Sequence, residues 1–210
     1  MHEYNIYLFI NNPPYLHEYY KSIKSKLKCD TSLYNIEVEI CTLLYSEYFK
    51  VCTPDYLLNT KISLYKDRIL PVYLNIQESN IVCNKLNIQE SNIVCNNLDF
   101  LNYKIPSDFI SEYLQYIEYC TSISKDHDTL LSIIIYSLIK SGVKDIKKKI
   151  LFISTYRRRI FIQCEHRIKR NEEEISYYIR ILEIAVVFIE RMEYKDLNIS
   201  KEEYDSLILR

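Results

Sequence analysis

The sequence predicts an all-α protein, a layered helical bundle with two buried central helices. Three observations lead there. The 210 residues include a single glycine, Gly142, whereas the turns of antiparallel sheets draw on positive φ, which glycine supplies most cheaply. Apolar side chains recur at intervals of three and four along most of the chain. Several of these periodic segments open on residues that cap helix N-termini. A composition 48% hydrophobic and 26% charged belongs to a folded chain and excludes wholesale disorder.

Taken in order, residues 13–28 open on Pro13-Pro14 and place Leu16, Tyr19, Tyr20, Ile23 and Leu27 at helical spacing. A second periodic segment runs from Leu33 to Phe49. Its Ile36-Val38-Ile40 alternation admits a strand, but its length and Leu43-Leu44 favour a helix. Thr53-Pro54-Asp55 reads as an N-cap, a proline at the first helical position and an acid at the positive end of the dipole. The helix it opens is expected to turn Leu57, Leu58, Ile62, Leu64, Tyr65 and Ile69 inward and to stop near Pro71. Residues 74–97 then hold a twelve-residue tandem duplication, LNIQESNIVCNK followed by LNIQESNIVCNN. Two copies are too few for a solenoid, so the duplication is read as a loop insertion, which closes at a cost that grows only logarithmically with length.

Pro106-Ser107 starts the next predicted helix, with Ile110, Tyr113, Leu114, Ile117 and Cys120 on one stripe. A polar break at Lys125-Asp126-His127-Asp128 precedes Leu130–Ile139, which is apolar on nearly every side and is therefore expected to be central, with Gly142 as its stop. Asn171-Glu172-Glu173-Glu174 is a capping signature before the second central helix, which carries Ile175, Tyr178, Ile179, Leu182, Ala185, Val186 and Ile189. Ser200-Lys201-Glu202-Glu203 is another, leading into Tyr204, Leu207 and Ile208.

Charge is unevenly distributed. Lys144–Arg170 contains ten Lys/Arg and two acids, a local +8 within a chain of net −1. Such a segment is either a solvated helix end with its loop or a face toward a phosphate surface or an acidic partner. Its aromatics are few (Phe152, Tyr156, Phe161), which argues against stacking on single-stranded nucleic acid, and no nucleic-acid partner is expected. The seven cysteines form no CxxC pair and read as free thiols in a reducing compartment. Cys164-Glu165-His166 lacks a second ligand pair, so no metal is expected. The Ile6–Ile10 run is shorter than a signal-peptide core, and Leu130–Ile139 is far below the ~20 residues of a membrane span, so the chain is expected to be soluble and cytoplasmic.

One glycine excludes glycine-rich phosphate loops and dinucleotide fingerprints. Histidines at 2, 17, 127 and 166 support no Ser-His-Asp or Cys-His order, and Glu172–Glu174 reads as a charged helix start rather than a catalytic carboxylate pair. No hydrolase, transferase or oxidoreductase site and no cofactor is expected. Two features stand out. Asp128 is either the N-cap of the first central helix, its carboxylate accepting a backbone N–H, or a carboxylate aimed outward from a rigid helix start. Tyr177-Tyr178 lies one turn into the second, where one ring can enter the core while the other faces a partner.

The stretch Asp128-Thr129-Leu130-Leu131-Ser132-Ile133-Ile134-Ile135-Tyr136 resembles the (Gly/Ser)-Ala-Asp-Asp/Glu-Phe-Leu-Pro-x-x-Ile-Tyr motif of the vacuolar protein sorting 9 domain, the guanine-nucleotide exchange module for the Rab-five class of small GTPases. Ile150–Tyr156 is similar to that family's Ile-x-Tyr-Ile-x-x-Phe, and Glu174-Ile175-Ser176-Tyr177-Tyr178 to its Glu-x-Gly-Tyr-Tyr. Ala185–Glu190 is similar to Ala-x-x-Phe-Ile-Glu, and Leu197–Asp205 to Leu-x-Ile/Leu-Ser-x-Glu-Glu-Phe-Asp. Weaker echoes lie at Tyr103–Asp108 and Leu70–Ile76, so the resemblance covers residues 55–208 in the family's order. Departures are Ser132 for proline, Asp126-His127 for small residues, Ser176 for glycine, Arg180 for threonine or a similar residue, and a basic insertion between Tyr156 and Glu174.

The resemblance implies an exchange domain over residues 53–210, with a loop insertion at 74–97 and an N-terminal helical extension over 1–52. It implies that Asp128 is an acidic finger toward the phosphate-loop lysine of an early-endosomal Rab, displacing Mg²⁺ and GDP, and that Tyr177 contacts the switch regions. Ser132, Glu174, Tyr178 and Arg180 become partner-binding positions. It places the chain at endosomal membranes, where Lys144–Arg170 would face anionic lipid. The alternative is a catalytically degenerate helical adaptor that binds a GTPase or another partner without exchange.

Overall fold

A computed structural model describes residues 5–27, 30–76, 98–123, 126–159 and 171–209. Among the described residues the regular structure is all helical, with no strand: α1 (Ile6–Asn11), α2 (Pro13–Lys24), α3 (Asp30–Val51), α4 (Tyr56–Tyr65), α5 (Pro106–Ile123), α6 (His127–Ser141), α7 (Ile146–Tyr156), α8 (Glu172–Arg191) and α9 (Lys201–Leu209). The ambiguous Leu33–Phe49 segment is the interior of α3, a helix of 22 residues. The duplicated residues from 77 to 97 and the Cys164–His166 triplet lie outside the described residues.

The chain forms two compact units. The first comprises Met1–Thr53, Phe100–Leu114 and Lys148–Ile179. In it α1 and α2 both pack on α3, burying Phe9, Leu16, Tyr20, Leu33, Ile40 and Leu44. Phe152 of α7 takes the edge of Tyr45 at 5.2 Å between ring centres and lies 4.9 Å from Tyr156. Phe100 meets Phe109 edge-on at 5.2 Å, a geometry that aromatic quadrupoles favour.

The second unit comprises Pro54–Asp99, Gln115–Lys147 and Arg180–Arg210. Its centre is α6, in which Leu130 and every residue from Ile133 to Ile139 are buried. Ser137, the polar exception, donates its hydroxyl to the Ile133 carbonyl and accepts the Tyr116 hydroxyl at 2.7 Å, which satisfies the buried polar group. Gly142 ends α6 at φ 64°, as its sequence position requires.

The start of α4 corrects the sequence reading. The helix begins at Tyr56, not Pro54, and Asp55 occupies the cap position without a side-chain cap. Asp145 caps it from ninety residues away, accepting the Asp55 N–H at 3.1 Å and the Asn59 side-chain amide at 3.2 Å. The Asn59 side-chain oxygen in turn accepts the Asp145 N–H at 2.9 Å. A cap supplied from so far along the chain leaves no signature in the residues beside Thr53. The helix also stops at Tyr65 rather than near Pro71, and Pro71–Leu74 forms a separate 3₁₀ turn closed by Asn75 at φ 57°. Leu58, Ile62, Tyr65 and Ile69 are buried as expected, whereas Leu57 is exposed.

Candidate functional site

In the second unit the polar break before α6 resolves into two aspartates with different roles. Asp126, not Asp128, is the N-cap, and its carboxylate accepts the Thr129 backbone N–H and the Thr129 hydroxyl, both at 2.8 Å. Those two bonds favour the charged form and hold the Asp126 carboxyl below its ordinary pKa. The reading of Asp128 as the cap is therefore corrected. Asp128 sits in the first turn of α6, exposed, and among the described residues no hydrogen bond or ion pair engages its carboxylate. Ser132, one turn further, is half-buried, and Ile133–Ile139 beyond it anchor the helix in the core. The sequence did carry a signal for the cap: Asp126 stands three residues before Thr129, the spacing at which a cap carboxylate reaches a backbone N–H.

Arg180, the first residue of the second unit's share of α8, is exposed and pairs with Glu183 at 3.2 Å, a surface pair of little energetic weight. From there Ile181, Leu182, Ala185, Val186 and Ile189 face inward, while Ile184 and Val187 reach solvent.

In the first unit the N-terminus of α8 is held by a clamp that sequence reading missed. Arg157, buried, donates to Glu172 through its two terminal guanidinium nitrogens at 2.8 and 2.6 Å and to the Ser176 hydroxyl at 2.9 Å. Asn171 caps the helix as predicted, its side-chain oxygen accepting the Glu174 N–H at 2.8 Å. The clamp fixes the turn that carries Tyr177 and Tyr178. Tyr177 is 46% exposed, Tyr178 is half-buried, and the two rings meet at 5.3 Å. Tyr113 donates to the Tyr178 carbonyl at 2.9 Å, so this stretch is fastened by backbone as well as side chain. Glu174 is half-buried.

The basic segment is less of a surface than its charge implies. Lys147 pairs with Glu190 in the second unit at 2.7 Å. In the first, Lys148 and Lys149 donate to the carbonyls of Cys52 and Leu101, Arg157 is clamped, and Arg158 is buried against Glu37 at 2.6 Å. Lys144 and Arg159 remain exposed, and residues 160–170 lie outside the described residues. Among the described residues no group of three or more His, Cys, Asp or Glu is placed to hold a metal ion, and no helix is long and apolar enough to cross a membrane. Cys41, Cys52 and Cys120 are free thiols.

No curated protein matches the chain. The family model of the Vacuolar sorting protein 9 (VPS9) domain matches residues 72–194, more than half of its length. That span includes Asp128, Ser132, Glu174, Tyr177, Tyr178 and Arg180. The chain belongs to the VPS9 domain family, which gives it a role of the guanine-nucleotide exchange type toward Rab GTPases and a small GTPase as partner.

Proposed function

We propose that the chain exchanges nucleotide on an early-endosomal, Rab-five-like GTPase and that Asp128 is its acidic finger. The observation that carries the proposal is the division of labour at the start of α6. Asp126 satisfies the helix terminus, which leaves the neighbouring Asp128 carboxylate exposed, on a helix whose body is locked in the core. A bound guanine nucleotide depends on a lysine and Mg²⁺ to neutralise its phosphates. A rigid carboxylate that competes for the lysine weakens the nucleotide and stabilises the empty GTPase, so exchange is differential binding rather than bond chemistry. Tyr177, exposed on a clamped turn, supplies a large contact toward the switch regions, and Glu174, Tyr178, Arg180 and Ser132 are further partner-binding residues. Residues 53–210 carry the exchange function and 1–52 are its helical extension. Peripheral attachment to an anionic endosomal membrane rests on Lys144 and Arg159, and pelleting with anionic vesicles reads it out.

Release of fluorescent GDP from such a GTPase is the test. Asp128→Ala is expected to slow catalysed release at least tenfold, about 1.4 kcal/mol of transition-state stabilisation, with an unchanged thermal transition. A variant as fast as the parent removes the assignment. Equal binding of the parent to nucleotide-free and GDP-loaded GTPase marks an adaptor instead.

A further inference from the structure

The second unit contains a groove of about 690 Å³ that the exchange reading does not use. One wall is the turn after α4, with Asp67, Arg68, Leu70 and Tyr73; the other is α9, with Glu202 and Leu207. The α9 wall lies beyond the matched residues 72–194, and Asp67, Arg68 and Leu70 precede them.

Three properties define what the groove takes. Its volume is in the range of ligand sites, but Leu70 is 49% exposed and Glu202 is exposed, so it is an open channel, suited to an extended chain rather than to an enclosed small molecule. Its apolar surface is unfinished: α9 has no fully buried residue, and Leu207 stays half-buried against the groove. Its net charge is negative, the carboxylates of Asp67, Glu202 and Glu203 outnumbering the Arg68 guanidinium. Arg68 is engaged in capping α9, donating to the carbonyls of Leu207 and Ile208 at 3.0 and 3.1 Å. Glu203, also in the lining, accepts the Ser200 N–H in the capping box. That leaves Asp67 and Glu202, both exposed, with no ion pair or hydrogen bond among the described residues. Carboxylates on both walls repel an anionic membrane and favour Lys and Arg, whose charge-assisted bonds are the strong ones.

We propose that this groove docks a basic peptide segment in which Lys or Arg residues flank an aliphatic anchor, the anchor lying against Leu70 and Leu207 and the cations reaching Asp67 and Glu202. The proposal is independent of the exchange assignment.

Fluorescence anisotropy of the full chain with the labelled peptide Lys-Leu-Arg-Lys-Leu-Arg-Lys tests it. Saturable binding is expected, weakened at least tenfold by Asp67→Lys/Glu202→Lys and by Leu70→Ser, and weakened likewise when the peptide leucines are replaced by serine. The double variant is expected to bind a glutamate-for-cation version of the peptide more tightly than the parent does. Both variants keep the parental thermal transition. Absence of saturable binding, or equal affinity for parent and double variant, overturns the proposal. So does a concentration-dependent dimer that the double variant abolishes, which identifies the groove as a contact between copies of this chain.

Discussion

Asp126 and Asp128 are two residues apart, chemically identical, and expected to fail in different assays. Asp126→Ala removes the acceptor for the Thr129 N–H, so it lowers the melting temperature while sparing catalysed GDP release. The sign of its pH dependence follows from its lowered pKa. A depressed carboxyl contributes stability that is present above the ordinary value near ~4 and is lost as pH falls through the folded value. The gap in melting temperature between parent and Asp126→Ala is therefore expected to be constant from neutral pH to about 5 and to close below about 4. A gap that widens on acidification contradicts the cap. Tyr177→Ala is expected to weaken the GTPase complex without shifting the thermal transition, because the ring is half in solvent; loss of that transition instead makes Tyr177 a core residue. The thiols give an opposite kind of expectation. Burial pushes Cys120 up to about 12 and raises Cys41 still more strongly, so neither offers thiolate at pH 8. Mapping by mass spectrometry should find both unalkylated by iodoacetamide in the native chain and alkylated in urea.

Helices were readable from sequence where their signals were local. The Asn171 cap, the reciprocal Ser200–Glu203 box and the Gly142 stop were each visible because partner and signal lie within four residues. The start of α4 was not, because Asp145 reaches it across ninety positions. The Arg157–Glu172 clamp escaped for a similar reason, since its partners lie fifteen positions apart across a predominantly basic stretch. Gly142 tests the local kind. Its φ of 64° is left-handed, and a Cβ there would fall 2.7 Å from the Lys66 ammonium and 2.8 Å from its stem. The lysine is a flexible side chain and can withdraw, but the backbone cost stays. Gly142→Ala is expected to destabilise the chain by about 1–2 kcal/mol, read as a lower urea midpoint at unchanged slope. Gly142→Asn, which tolerates the left-handed region, should lose less.

Across the whole molecule, the family match and the compact units divide the chain differently. The match begins at residue 72, yet residues 1–53 share a unit with Lys148–Ile179, the stretch that carries Tyr177. What ties them is charge buried in the core. Glu37 of α3 is 0% exposed and forms an ion pair with Arg158 at 2.6 Å, and Ser107 donates to the same carboxylate oxygen at 2.6 Å while accepting from Arg158 at 2.8 Å. Tyr34, one turn earlier, donates to Asp108 at 3.0 Å. Two buried charges in contact are a weak source of net stability, but removing one leaves the other desolvated and unbalanced. Glu37→Gln is therefore expected to cost about 3–5 kcal/mol, measured by urea unfolding, whereas Glu37→Met/Arg158→Met should cost less than the two single substitutions summed, because it abolishes both charges together. Strict additivity sinks the argument. A chain beginning at residue 54 strands Arg158 in the same way and strips α3 from the unit that holds Tyr177. The N-terminal helices thus belong to the scaffold of the contact proposed at Tyr177, and deleting them is expected to abolish binding to the nucleotide-free GTPase along with the native thermal transition.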